Sequence, residues 1–105
     1  MLLQIEKLDS ARGFRLVGEL DASNVGDLRE ALEPAIAEGG DITLDLAGLA
    51  FMDSSGIQIL VTTAQGLGDR GTLLLQSPGS LVRRLLGLIP VERLDNVRIE
   101  GEEGA

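Results

Sequence analysis

The sequence contains no cysteine, histidine, tryptophan or tyrosine, and its only aromatic residues are Phe14 and Phe51. Each absence removes a class of chemistry. Without Cys there is no disulfide and no thiol nucleophile; without His there is no Ser-His-Asp triad and no imidazole-bound metal. Without Tyr or Trp the chain has few platforms on which single-stranded bases stack. Lys7 is the only lysine, so no G-x-x-x-x-G-K-[ST] phosphate loop exists. Nine basic residues stand against 17 acidic ones, a formal charge of -8, and so acidic a chain is a poor neutraliser of a phosphate backbone. A protein partner is expected, not a nucleic acid.

Long apolar runs are missing as well. Nothing approaches the roughly 18 apolar residues of a membrane span, and Met1-Leu2-Leu3-Gln4-Ile5-Glu6-Lys7 lacks the basic start and apolar stretch of a signal peptide. A soluble cytoplasmic protein with no direct membrane insertion is expected. What is present is 105 residues with 44% hydrophobic content, enough for one core built from Leu, Ile, Val and Ala.

Leu3 and Ile5 alternate with Gln4 and Glu6, and Asp9-Ser10-Ala11-Arg12-Gly13 supplies a turn before Phe14 to Leu20. Period two on both sides of a polar turn predicts an N-terminal hairpin. From Ser23 the period lengthens: Val25, Leu28, Leu32, Ala35 and Ile36 share one helical face, capped by Asp21, Ser23 or Asn24. Pro34 predicts a bend or a weak last turn, and Gly39-Gly40 stops the helix. Ile42 to Leu46 reads as a third strand, with Leu49 to Met52 carrying apolar residues to Asp53. A second helix runs from about Ser55 to Asp69, its core face formed by Ile57, Leu60, Val61, Ala64 and Leu67. Ile59 then projects outward with Gln58, Thr62 and Thr63. Gly71 to Gln76 is a fourth strand. Ser77-Pro78 reads as a cap followed by proline in the first turn of a third helix bearing Val82, Leu85, Leu86 and Ile89, with Arg83 and Arg84 off its core face. A short strand lies within Val91 to Ile99, and residues 100–105 form a flexible acidic tail.

This order predicts an α/β fold in which strands three and four are parallel and joined by right-handed crossovers. Sites in open sheets lie beyond the carboxyl ends of the strands. Leu20-Asp21 and Met52-Asp53 are both such ends, so the two are expected to be neighbours.

Gly66-Leu67-Gly68-Asp69-Arg70-Gly71 satisfies G-x-G-x-x-G literally, but it closes a helix and precedes a strand, the reverse of a dinucleotide site. It reads as helix termination and a turn. Ser55-Gly56-Ile57-Gln58 fits the S-x-x-Q capping box, which assigns the cap to Ser55 and leaves the Ser54 hydroxyl free. On residue types alone, Asp53, Ser54 and Ser55 serve either as caps or as a functional site. Hydrolysis by Ser54 is disfavoured because no base is at hand. Asp21 and Asp53 are too few to define a stable Mg²⁺ site, and no metal or cofactor is expected.

Gly18-Glu19-Leu20-Asp21, Ile42-Thr43-Leu44-Asp45-Leu46, Phe51-Met52-Asp53-Ser54-Ser55-Gly56-Ile57 and Ser77-Pro78 ahead of Val82 and Leu85 together resemble a STAS domain. The chain is most similar to the stand-alone anti-sigma factor antagonists. The resemblance implies a single STAS-like domain over residues 1–99, with a mixed sheet of four to five strands, an N-terminal β-hairpin and about three helices packed mainly on one face. It implies no enzyme activity. It implies a switch in which the unmodified protein binds an anti-sigma factor that is also a GHKL-type serine kinase and itself holds the ATP, so that the sigma factor is released. Phosphorylation of Ser54 ends binding and a PP2C-type phosphatase restores it. Asp53, Ser55, Gly56 and Asp21 flank the phosphosite, and Ser54, Ser55, Gly56, Gln58, Ile59, Thr62 and Asp21 form the implied partner surface. Other STAS relatives are scaffolds in stress-signalling assemblies or subunits of ABC lipid transporters, and these are the alternative.

Overall fold

A computed structural model describes residues 2–88 and 94–101. The chain begins with a hairpin of β1 (Leu3–Lys7) and β2 (Gly13–Leu20), paired antiparallel with Ile5 opposite Leu16. Leu8 N–H donates to the Gly13 carbonyl at 3.1 Å to close it. Gly13 has φ +143°, and a Cβ there would lie 1.7 Å from the Thr43 carbonyl oxygen. No other residue fits that corner.

Three crossover units follow: α1 (Val25–Glu38), β3 (Ile42–Met52), α2 (Ser54–Leu67) with a 3₁₀ turn at Gly68–Arg70, β4 (Leu73–Gln76), α3 (Ser80–Leu86) and β5 (Val97–Glu100). The sheet order is β1-β2-β3-β4-β5, and every pair after the hairpin is parallel. With that order each crossover steps the same way across the sheet. Right-handed connections therefore put the three helices on one face. Burial agrees: Leu16, Leu20, Ile42, Leu44, Leu73 and Leu75 are fully buried, whereas Arg15 and Asp45 on the opposite face pair at 3.2 Å. Each such leucine removed from water contributes about 1.5–3 kcal/mol.

The expected architecture is present, with several local differences. Residues Ile42–Met52 form one strand of 11 residues, not a short strand and a separate apolar segment. Its register against β2 shifts between Arg15 and Val17 and again between Gly18 and Glu19, so β3 carries an extra residue at each place. These bulges turn Leu46, Leu49 and Met52 inward while Ala47, Ala50 and Phe51 stay exposed. Inward positions three residues apart break the alternation by which a sequence reveals a strand.

Helix α1 continues through Pro34 to Glu38. Its last turn is braced from outside: Arg12 donates to the carbonyls of Ala35 and Gly39, and Arg70 to that of Ala37 at 3.2 Å. Ser77-Pro78 does not open α3; the helix starts at Ser80 behind Gly79, and Ser77 sits at φ 54°. Ser77 N–H donates to the Glu100 carbonyl, so β5 extends one residue into the segment expected to be tail. Ile89, placed on the third helix by the sequence pattern, and the last four residues of that tail lie outside the described residues. None of the helices among the described residues is long and apolar enough to cross a membrane.

Candidate functional site

The site forms where β2 and β3 end side by side. Leu20 pairs with Met52, and the Asp53 N–H donates to the Leu20 carbonyl at 3.1 Å. The two strand ends are neighbours, as the topology required. Asp21 and Asp53 therefore stand at one end of the sheet, beside the start of α2.

Asp53, not Ser55, is the N-cap of α2. Its backbone is extended (φ -102°, ψ -168°), and its carboxylate accepts from the N–H groups of Ser55 at 2.8 Å and Gly56 at 3.4 Å. Three consecutive capping residues made the position ambiguous in the sequence. The helix begins two residues earlier than the S-x-x-Q pattern implied, so Ser54 and Ser55 both lie in its first turn and no capping box forms. Ser54 is exposed and Ser55 half-buried. Among the described residues neither hydroxyl makes a hydrogen bond.

The buried face of α2 is Gly56, Ile59, Leu60, Thr63, Ala64 and Leu67. Ile59, expected on the partner surface, is only 4% exposed and belongs to the core. The observed face lies about 65° around the helix, at 3.6 residues per turn, from the stripe of Ile57, Leu60, Val61, Ala64 and Leu67. Hydrophobic periodicity does not show this because the core stripe includes a glycine and a threonine. Thr63 is fully buried, its hydroxyl donating to the Ile59 carbonyl at 2.7 Å. Gly56 is also buried, and a Cβ there would lie 3.0 Å from both Leu20 Cδ2 and Met52 Cβ. Gly56 lets the helix approach the strand ends; it offers no side chain to a partner.

Ser54, Gln58 and Thr62 remain exposed at four-residue steps along one stripe of α2. Half-buried Ile57 and Val61 flank it. Both pack against the core, as the sequence pattern predicts, and share the four-residue step of that stripe.

Asp21 is held in a polar turn. Its carboxylate accepts from the Ser23 hydroxyl at 2.5 Å and the Ser23 N–H at 2.9 Å. The hydroxyl bond is the main cause of a pKa lowered from the ordinary carboxylate value, with burial opposing it. Asn24 begins α1 without a side-chain capping bond. No group of three or more His, Cys, Asp or Glu among the described residues is arranged to hold a metal ion.

The site and the sheet order together describe a small α/β domain whose conspicuous feature is an Asp-Ser-Ser-Gly helix start. The family model described as "Mlab, STAS domain" matches residues 3–98. The chain belongs to the STAS domain family. An anti-sigma-B factor antagonist of Staphylococcus epidermidis is 32% identical, with 98% of each chain covered, which places this chain in the anti-sigma factor antagonist branch. The solved structure of the anti-sigma factor antagonist SpoIIAA in its unphosphorylated form is 26% identical, covers 82% of each chain and superposes with a TM-score of 0.64. An anti-sigma factor antagonist from Mycobacterium paratuberculosis shares the fold at a TM-score of 0.74, with 22% identity over 92% of this chain and 84% of that one.

Proposed function

We propose that the protein is a phosphorylation-controlled anti-sigma factor antagonist. Unmodified, it binds an anti-sigma factor through the exposed stripe Ser54, Gln58 and Thr62, with Ser55, Ile57, Val61 and Asp21 at its margins. The anti-sigma factor, occupied in this way, releases its sigma factor. It is also a GHKL-type serine kinase, and it holds the ATP. Transfer of phosphate to Ser54 ends the complex, and a PP2C-type phosphatase resets it. The protein is the kinase's substrate and supplies no catalysis.

One observation carries this reading: Ser54 is an exposed hydroxyl beside a carboxylate that already occupies the helix start. A helix N-terminus normally favours an added anion. Here Asp53 accepts from Ser55 and Gly56, and the Ile57 N–H donates to the Asp53 carbonyl at 3.2 Å. A phosphate on Ser54 brings about -1.5 to -2 charges to a surface where Asp21 and Asp53 are already negative. That charge stays on the outside and acts on the partner. The relatives named as anti-sigma factor antagonists, one of them described in an unphosphorylated form, support the same switch.

The test is incubation with ATP and the anti-sigma factor kinase of the same genome, followed by mapping of phosphate. Phosphate at Ser54, its loss in Ser54→Ala, and at least a tenfold weaker complex with Ser54→Asp, about the size of a charge facing a desolvated interface, are the expected results. A stable complex without phosphate at Ser54 would instead support a scaffold or transporter subunit. The family description "Mlab, STAS domain" makes that the second reading.

A further inference from the structure

Asn24 is a buried amide, 7% exposed, at the head of α1. Its side chain does not cap the helix that it begins. Instead its Nδ2 donates to the Glu19 carbonyl at 2.9 Å and its Oδ1 accepts from the Asp21 N–H at 2.9 Å. An amide presenting one donor and one acceptor to main-chain groups two residues apart does what a neighbouring strand does.

The reason β2 needs this lies in the hairpin. Pairing with β1 ends at Leu3 opposite Gly18, and the Glu19 N–H takes the Leu2 carbonyl at 3.1 Å. In an extended chain the N–H and C=O of one residue point to the same edge. Glu19 C=O and Asp21 N–H therefore face the β1 side of β2, beyond the last paired residue Leu3. Leu20 faces the other edge, where its carbonyl accepts the Asp53 N–H at 3.1 Å. The last turn of β2 is gripped on one side by the Asn24 side chain and on the other by the residue that caps α2.

We propose that Asn24 is a positioning residue for the Ser54 site, acting through the Glu19–Asp21 segment on Asp21 directly and on Asp53 through Leu20. It supplies main-chain partners to β2 beyond Leu3, the last β1 residue of the ladder. Without its amide the Glu19 carbonyl and Asp21 N–H lose their partners, the strand end becomes mobile, and Asp53 loses a fixed anchor. Ser54 and Asp21 then sample many relative positions, and a partner must order them on binding. The inference rests on the reading that this surface meets an anti-sigma factor.

The test compares Asn24→Ala with Asn24→Asp, which keeps the acceptor for Asp21 N–H but loses the donor to Glu19. Asn96→Ala is the control: Asn96 Nδ2 donates to Ala64, Gly68 and Gly71 carbonyls at 2.8, 3.2 and 3.1 Å, at the far end of α2. For each full-length variant, thermal midpoint, Kd for the anti-sigma factor, KM and kcat for Ser54 phosphorylation, and amide exchange at Asp53 are measured. Asn24 variants should raise Kd and KM about tenfold, leave kcat within about twofold, and speed exchange at Asp53. Asn96→Ala should lower the midpoint yet leave Kd and Asp53 exchange unchanged. Unaltered Kd and Asp53 exchange in both Asn24 variants would overturn the positioning role while leaving the functional reading intact. If the wild-type protein neither binds nor is phosphorylated, the functional reading fails, and the inference about the Ser54 site falls with it.

Discussion

The Asp53 carboxylate accepts the Ser55 N–H at 2.8 Å, so the residue that precedes the proposed phosphosite already occupies the anion-binding end of α2. Helix capping and an added phosphate compete for the same donors. Asp53→Ala should cost about 1 kcal/mol, the usual worth of an N-cap, and Asp53→Asn less because it keeps an oxygen acceptor. Urea unfolding with an unchanged m-value checks both. Equal stability of Asp53→Ala and wild type would show that another residue caps α2.

Ile59 and Thr62 separate core from surface. Ile59→Ala removes a side chain that is 4% exposed and should cost about 2–4 kcal/mol. Thr62→Ala should stay within about 0.5 kcal/mol of wild type yet weaken the complex with the anti-sigma factor. Denaturation midpoints paired with binding titrations distinguish them; the opposite assignment would return Ile59 to the partner surface.

Two glycines in helices should respond with opposite signs. At Gly56 the helix-propensity gain of alanine, about 1 kcal/mol, meets a Cβ placed 3.0 Å from Leu20 Cδ2 and Met52 Cβ. Overpacking of about 1–3 kcal/mol outweighs it. At Gly26 nothing lies within 4 Å of the added Cβ, and Gly26→Ala should stabilise by up to about 1 kcal/mol. Thermal melts of the two variants should shift in opposite directions.

Ser77 is the only non-glycine residue with positive φ among those described, at 54°. That conformation costs an L-residue about 1–2 kcal/mol, while glycine loses about 0.5–1 kcal/mol in chain entropy. Ser77→Gly should therefore stabilise by roughly 0.5 kcal/mol, the difference between the two costs. A lower melting temperature would show that the Ser77 side chain contributes more than the strain removes.

Asp21 should titrate below the ordinary carboxylate range because the Ser23 hydroxyl donates to it. A lowered folded-state pKa means stability that is present above the unfolded value, about 3.9, and is lost as pH falls through the folded one. Ser23→Ala should raise the Asp21 pKa in an NMR titration. The linked stability difference from wild type should be present at neutral pH and vanish in acid. An Asp21 pKa that does not move would assign the shift to the backbone bonds.

Much of this was legible in order along the chain. Period two before Gly13 and after it, period 3.6 from Val25 and from Ile57, and glycines at the breaks specify which segments are strands and which are helices. Local backbone preference and the need to bury one face act over a few residues, so a few residues reveal them. The absence of His and Cys likewise removed whole classes of chemistry, and Asp53-Ser54-Ser55-Gly56 marked the candidate site.

Tertiary structure decided what depends on partners distant in sequence. Two bulges against β2 joined Ile42 to Met52 in one strand, because the residue opposite each position, not the residue type, fixes the register. Contact with Leu20 and Met52 put Gly56 inside and rotated α2 so that Ile59 was buried with it. The cap fell to Asp53 once its N–H was held by the Leu20 carbonyl at 3.1 Å. Composition can supply three candidate caps, but only the strand alongside determines where the extended backbone ends, the helix begins, and which serine faces outward.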